Sequence, residues 1–193
     1  QYPKVNIVEI GTVEELKAFA KNAATITEDV VLTADIDMSE EEWTRIGDFA
    51  YSFDGRGHKI TGLKASLFGI TQASAIRNLH LVDVNITHNA GGHSGAIADK
   101  VENTSAVIEN CSASGTLAFV GNTSMTEVYA GGLIGATSTT KELKGLTNKV
   151  NITITGSFAA NTYFIGCVGY CGSASMRDCK NLGTVTCSAS FAD

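Results

Sequence analysis

VIENCSASGTL at residues 107–117 and SMRDCKNLGTV at residues 175–185 are two copies of one degenerate phrase. Each follows a short glycine-aliphatic phrase, and the pair can be traced four times. The first phrase runs Ser66-Leu-Phe-Gly69, Gly95-Ala-Ile-Ala98, Gly132-Leu-Ile-Gly135 and Gly166-Cys-Val-Gly169, at spacings of 29, 37 and 34 residues. The second runs Ile76-Arg-Asn-Leu79, Ile108-Glu-Asn-Cys111, Leu146-Thr-Asn-Lys149 and Met176-Arg-Asp-Cys179, at spacings of 32, 38 and 30. A period of about thirty residues built on Gly, Asn and β-branched side chains belongs to a stacked solenoid, in which each unit buries its apolar face against its neighbours. The expected fold is therefore all-β, a right-handed parallel β-helix with an N-terminal capping helix. Asn78, Asn110 and Asn148 are expected to stack as an amide ladder along one corner, with Asp178 ending it. Lys149 stands where an inward apolar residue belongs, so Val150 or Ile152 is expected to face the core instead.

Ahead of the repeats, Thr12-Val-Glu-Glu15 is a capping box, and Leu16, Phe19, Ala20 and Ala23 recur at helical spacing. This predicts a helix from Val13 to about Asn22. Val30, Leu32, Ala34, Ile36 and Met38 then alternate with Val31, Thr33, Asp35 and Asp37, which predicts one strand carrying Asp35 and Asp37 outward. Phe53 to Ile60 brackets a glycine-rich turn. Residues 1–62 read as cap and lead-in and residues 63–193 as repeats. The whole chain of 193 residues is expected to be one solenoid domain, itself a candidate fragment of a longer protein, because the C-terminal end carries no comparable cap.

Composition excludes several functions. The net charge of -6 is carried by the lead-in, where residues 1–62 hold twelve acids and six Lys or Arg, against eight of each in residues 63–193. A repeat body without clustered cations cannot neutralise phosphates, so nucleic acid is excluded as a partner. No apolar run is long enough to span a membrane. The five cysteines, Cys111, Cys167, Cys171, Cys179 and Cys187, match no zinc spacing. Cys111 and Cys179 read as stacked, buried thiols, while Cys167 with Cys171 or Cys179 with Cys187 remain open as disulfides.

The Gly132-Leu-Ile-Gly135 phrase, Ile108-x-Asn-Cys111 with its following Gly-Thr, and the lead-in residues Leu32-x-x-Asp-Ile-Asp-Met38, Trp43-x-x-Ile-Gly47 and Gly57-His58-x-Ile60 resemble the GLUG-motif proteins. The resemblance implies a secreted or surface-attached bacterial protein of the kind abundant in gut Bacteroidales. It also implies a parallel β-helix with an adhesin-like, noncatalytic role, and GLUG repeats occur beside IgA-specific peptidase domains. The unknown surface ligand would be a glycan or a host protein.

Candidate sites follow from residue chemistry. Asp35 and Asp37, with Glu40, Glu41 and Glu42, offer oxygen ligands of the type Ca²⁺ takes; the competing reading is that Asp37 or Ser39 caps a turn at Glu40 to Trp43. Tyr129 and Tyr163 each lie three residues before a repeat glycine and, with Trp43, supply aromatic surface with a polar handle for a sugar ring or a coil corner. A carbohydrate-active enzyme, lyase or hydrolase, is the alternative class. It would need paired carboxylates, and Asp83, Asp99, Glu102, Glu109, Glu127, Glu142, Asp178 and Asp193 recur at no common repeat position. His80, His88 and His93 lack ligand partners at matching spacing, and His88 and His93 are expected in an exposed loop.

Overall fold

The computed structural model describes residues 6–89, 92–122, 128–158, 163–164 and 166–191, with the backbone alone at 163, 164 and 191. Gln1 to Lys4, the Ala90-Gly91 centre of the histidine loop, Glu127, Asp193 and the Tyr163 side chain lie outside the described residues. The strand pairings among the described residues are all parallel. They assemble a β-solenoid of about three full turns behind a short helix.

One turn of the chain visits four sheets in order. Ala75–Arg77 lies in a seven-stranded sheet, His80–His88 in an eight-stranded one, Gly92–Ser94 in a three-stranded one and Ala98–Val101 in a four-stranded one, after which Val107–Glu109 stacks on Ala75–Arg77. The seven-stranded sheet continues without a break from Ile7–Ile10 to Met176–Arg177. The longest pairing joins Ser112–Gly121 to Thr147–Phe158 over ten registers. On these strands Leu117, Phe119, Val150, Ile152 and Ile154 are buried while Thr116, Asn151 and Thr153 face solvent, the period of two that a one-sided strand requires. Lys149 is exposed and Val150 and Ile152 face inward, as expected.

The helix spans Val13–Asn22 and both halves of its capping box form. The Thr12 side chain accepts from the Glu15 N–H at 3.2 Å, and a Glu15 carboxylate oxygen accepts from the Thr12 N–H at 3.1 Å. Its apolar face closes the first turn: Phe19 meets Phe49 edge-on at 5.2 Å, and Phe53 meets Phe68 edge-on at 5.4 Å. Burying such rings stabilises the cap by roughly 2–3 kcal/mol each. The alternating stretch that follows is two strands rather than one. Asp29–Leu32 belongs to the seven-stranded sheet and Ile36–Asp37 to the eight-stranded sheet, with a solenoid corner between them.

Two register corrections arise from the stacking. Leu143 and Lys144 pair with Met176 and Arg177, and Lys144 with Glu109, so the third second-phrase is Leu143-Lys-Gly-Leu146. Gly145 therefore succeeds Asn110 at the corner, and Asn148 stands in another column, opposite Ala113. The corner needs a left-handed backbone: Asn78, Asn110, Gly145 and Asp178 have φ of 49°, 54°, 64° and 55°. Asn, Asp and Gly adopt that region at least cost, which is why they interchange there. The amide ladder runs Asp54–Asn78–Asn110, with Asn78 Nδ2 donating to Asp54 Oδ1 at 3.0 Å and Asn110 Nδ2 to Asn78 Oδ1 at 3.4 Å. It stops at Gly145, which has no side chain to continue it. In the other correction, Ala98 pairs with both Phe68 and Ile134, so the second copy of the first phrase is one residue out of step with the sequence alignment.

Asn148 has a different task. Its buried carboxamide donates to Gly166 O and Asn181 Oδ1, both at 2.7 Å, and accepts from Val150 N–H at 2.9 Å. A Cβ at Gly132 would collide with this carboxamide, and one at Gly166 would collide with that of Asn181. The leading glycine of the phrase is thus the space an inward asparagine occupies.

Candidate functional site

The three-stranded sheet, Gly92–Ser94, Val128–Ala130 and Tyr163–Phe164, stacks His93, Tyr129 and Tyr163 in one register column. The His93 and Tyr129 rings lie parallel, 5.0 Å apart at 11°. Tyr170, on the adjoining four-stranded sheet, approaches Tyr129 at 5.6 Å and is itself exposed. Backbone register thus brings Tyr129 and Tyr163 together. In the sequence, neither His93 nor Tyr170 aligns with Tyr129 and Tyr163. His93 lies three residues before Ala96, the true counterpart of Gly132, so the one-residue misalignment hid it. Trp43 shares no ring contact with these residues among the described ones. It donates from Nε1 to Ser66 O at 2.9 Å and lines a cleft of about 310 Å³ beside Lys17, Ala20 and Lys21 of the helix.

Ser66 and Asp99, both buried, and the exposed Arg45 form a polar tie between the lead-in and the first full turn. Ser66 Oγ donates to Asp99 Oδ1 at 2.5 Å, and Arg45 Nη1 lies 3.2 Å from Asp99 Oδ2. Burial pushes the Asp99 carboxyl above the usual carboxylate range; the Ser66 hydroxyl, the Arg45 guanidinium and the Gly95 N–H pull the other way without cancelling it. One buried carboxylate with a single hydroxyl is not the facing pair that glycoside hydrolysis uses.

Asp35 and Asp37 are occupied by protein donors. Asp35 accepts from the Lys59 N–H at 3.0 Å and stands 3.1 Å from His58 Nδ1, and these hold its carboxyl below the usual range, the backbone bond first. Asp37 accepts from the Ser39 N–H at 2.9 Å, which lowers it likewise. Asp37 therefore caps a bend closed by Glu41 N–H on Met38 O at 3.0 Å, without the helical turn expected at Glu40 to Trp43.

The cysteines are free thiols. Cys111 is buried, and burial pushes its thiol up to about 12; Cys167 is raised to about 12 for the same reason. Neither is an activated nucleophile. His88, expected in an exposed loop, is instead the last inward position of His80–His88, buried with its ring 4.7 Å from Phe119. His80 faces outward, its Nδ1 2.8 Å from Ser112 Oγ, inside an open groove of about 480 Å³ at the corner between the seven- and eight-stranded sheets.

Comparisons with known proteins bear on what such a solenoid serves. Residues 44–115 match the model of the M26 IgA1-specific metallo-endopeptidase N-terminal region. The similarity is to a peptidase. A solved IgA1 protease structure superposes with a TM-score of 0.55 at 19% identity, covering 96% of this chain and 14% of that one. A Bacteroides ovatus protein carrying the immunoglobulin A1 protease name superposes with a TM-score of 0.49 at 15% identity, covering 96% of this chain and 78% of that one. Comparison with curated protein sequences finds no match. The chain thus spans about a seventh of the IgA1 protease chain whose fold it shares.

The match over residues 44–115 overturns the expectation that the chain is not an enzyme, and favours a peptidase reading over an adhesin. A metallo-endopeptidase needs a metal, and among the described residues no group of three or more His, Cys, Asp or Glu is placed to hold one. The described residues do not fit such a metal. Among the described residues no helix is long and apolar enough to cross a membrane.

Proposed function

We propose that the chain serves an immunoglobulin A1-directed metallo-endopeptidase as part of its N-terminal solenoid, where it holds the immunoglobulin substrate. The observation that carries this reading is the match of residues 44–115 to the N-terminal region of that peptidase family. The solenoid's parallel sheets suit the task, and the His93, Tyr129 and Tyr170 rings offer rigid contact area at low entropic cost. The GLUG resemblance agrees with it, since such repeats accompany IgA-specific peptidase domains. Both resemblances support a secreted or surface-attached protein.

The test is interferometry on immobilised immunoglobulin A1 and, as control, immunoglobulin G, with the same mixtures run on gels with and without a chelator. Selective binding to immunoglobulin A1, weakened about ten-fold or more by Tyr129→Ala, is the expected result. Equal binding to both immunoglobulins, or to neither, overturns substrate holding. Cleavage of immunoglobulin A1 by this chain alone would move the assignment from holding the substrate to cutting it.

A further inference from the structure

We infer that the groove at the corner of the seven- and eight-stranded sheets is a binding site for a carboxylate-bearing sugar, a reading that stands whether or not the chain engages immunoglobulin. Parallel register builds the site. Lys59, His80, Ser112 and Thr147 pair in one column across four neighbouring strands, each step about 4.8 Å, and Lys149 stands beside them opposite Ser114. Gly145 lines the floor next to Asn110, and its missing side chain keeps the corner open.

Charge and chemistry select the ligand. The chain is acidic overall, yet no carboxylate lines this groove, while two ammonium groups and an imidazole do. Lys149 has no ion pair among the described residues. Lys59 lies near Asp35, so its charge is partly matched from the neighbouring corner. Between the lysines sit the hydroxyls of Ser112, Ser114 and Thr147 and the Asn110 amide, groups that both give and take hydrogen bonds, as a sugar's hydroxyls require. His80 is oriented by its 2.8 Å contact with Ser112 Oγ. No Phe, Tyr or Trp ring lines the groove, so an apolar peptide side chain would find little to fill. Two lysines are too few for a polynucleotide. The lining contains no arginine, so any anion here would meet single ammonium groups, and it is the hydroxyl-bearing floor beside them that favours an acidic sugar over an isolated phosphate or sulfate. Single ammonium groups around a hydroxyl-lined floor match a polyhydroxylated ligand carrying single carboxylates. The volume, about 480 Å³, lies within the range of small-ligand sites.

Titration of the isotope-labelled chain with sialyllactose and trigalacturonate, each against its uncharged counterpart, tests the site by amide shifts. The expected result is saturable shifts at Ser112, Ser114 and Thr147 with at least one acidic sugar, and about ten-fold weaker response to the neutral ones. Lys149→Glu, an exposed substitution that leaves the core untouched, is expected to abolish saturation while the rest of the spectrum stays in place. Equal response to charged and neutral sugars, no response to either acid, or displacement by inorganic sulfate at the same concentration as by the sugar would each overturn the inference.

Discussion

The middle turns and the last turn of this solenoid occupy the same columns and fare differently. Ile86, Leu117 and Ile152 are buried in one column, yet Val185, paired with Ile152, is 46% exposed. Phe53, Ile76, Ile108 and Leu143 are buried in another, yet Met176, paired with Leu143, is 45% exposed. The residue types are equally apolar. What differs is that a middle turn has neighbours on both sides, whereas among the described residues the last turn has one. Burial in this architecture belongs to the stack rather than to the sequence of any single turn.

That contrast can be broken most directly by truncating the same column at two heights. Ile152→Ala is expected to cost about 2–5 kcal/mol in chemical denaturation, and Val185→Ala no more than about 0.5. Equal costs would show that the last turn is packed as tightly as the middle. A smaller effect is expected at the corner column. Gly145→Ala places a Cβ 2.7 Å from Asn110 Oδ1 at a φ of 64°, and should lower stability by about 1–2 kcal/mol, whereas Gly47→Ala, with open space around it and no left-handed backbone, should not lower it.

The polar tie sharpens the contrast through pH. Asp99 has a folded pKa above its unfolded value, so the unfolded chain gives up this proton first. Its contribution to stability is fully present below the unfolded value and is lost as pH rises through the folded one. Asp35 and Asp37, both lowered, act in the opposite sense and lose their contribution as pH falls. Asp99→Asn is therefore expected to remove a component of stability that declines with rising pH, read as the difference between the two denaturation profiles. Identical profiles would refute it. Least perturbing is thiol alkylation of the native chain at mildly alkaline pH. Exposed Cys187 should label first, while Cys111 and Cys167, with thiols near 12, should wait for unfolding.

The solenoid, the helix with its capping box and the inward turn of Val150 and Ile152 were legible in the residues, because periodicity and capping are local signals. The corner register was not. Its requirement is a left-handed backbone, which Asn, Asp and Gly all meet, so Gly145 carried the corner unnoticed while Asn148 drew the alignment three residues downstream. Nor could His88 be placed inward without knowing that its strand runs unbroken from His80. The aromatic column was half visible: Tyr129 and Tyr163 sit at equal offsets from glycines, whereas His93 was hidden by the slip at Ala96. The groove left no motif at all, since Lys59, His80, Ser112 and Lys149 meet only through stacking of four turns.

Gly132 with Asn148, and Gly166 with Asn181, are complementary halves of one fit, and in the preceding turn Ala96 and Ala113 occupy the same two columns. A solenoid grows by copying turns, and a copy whose boundary fell between the glycine and its asparagine would set a carboxamide against a methyl group or leave a void beside a glycine. Glycine and asparagine are therefore sterically coupled within a turn, and changing either one alone would bring a clash or a void.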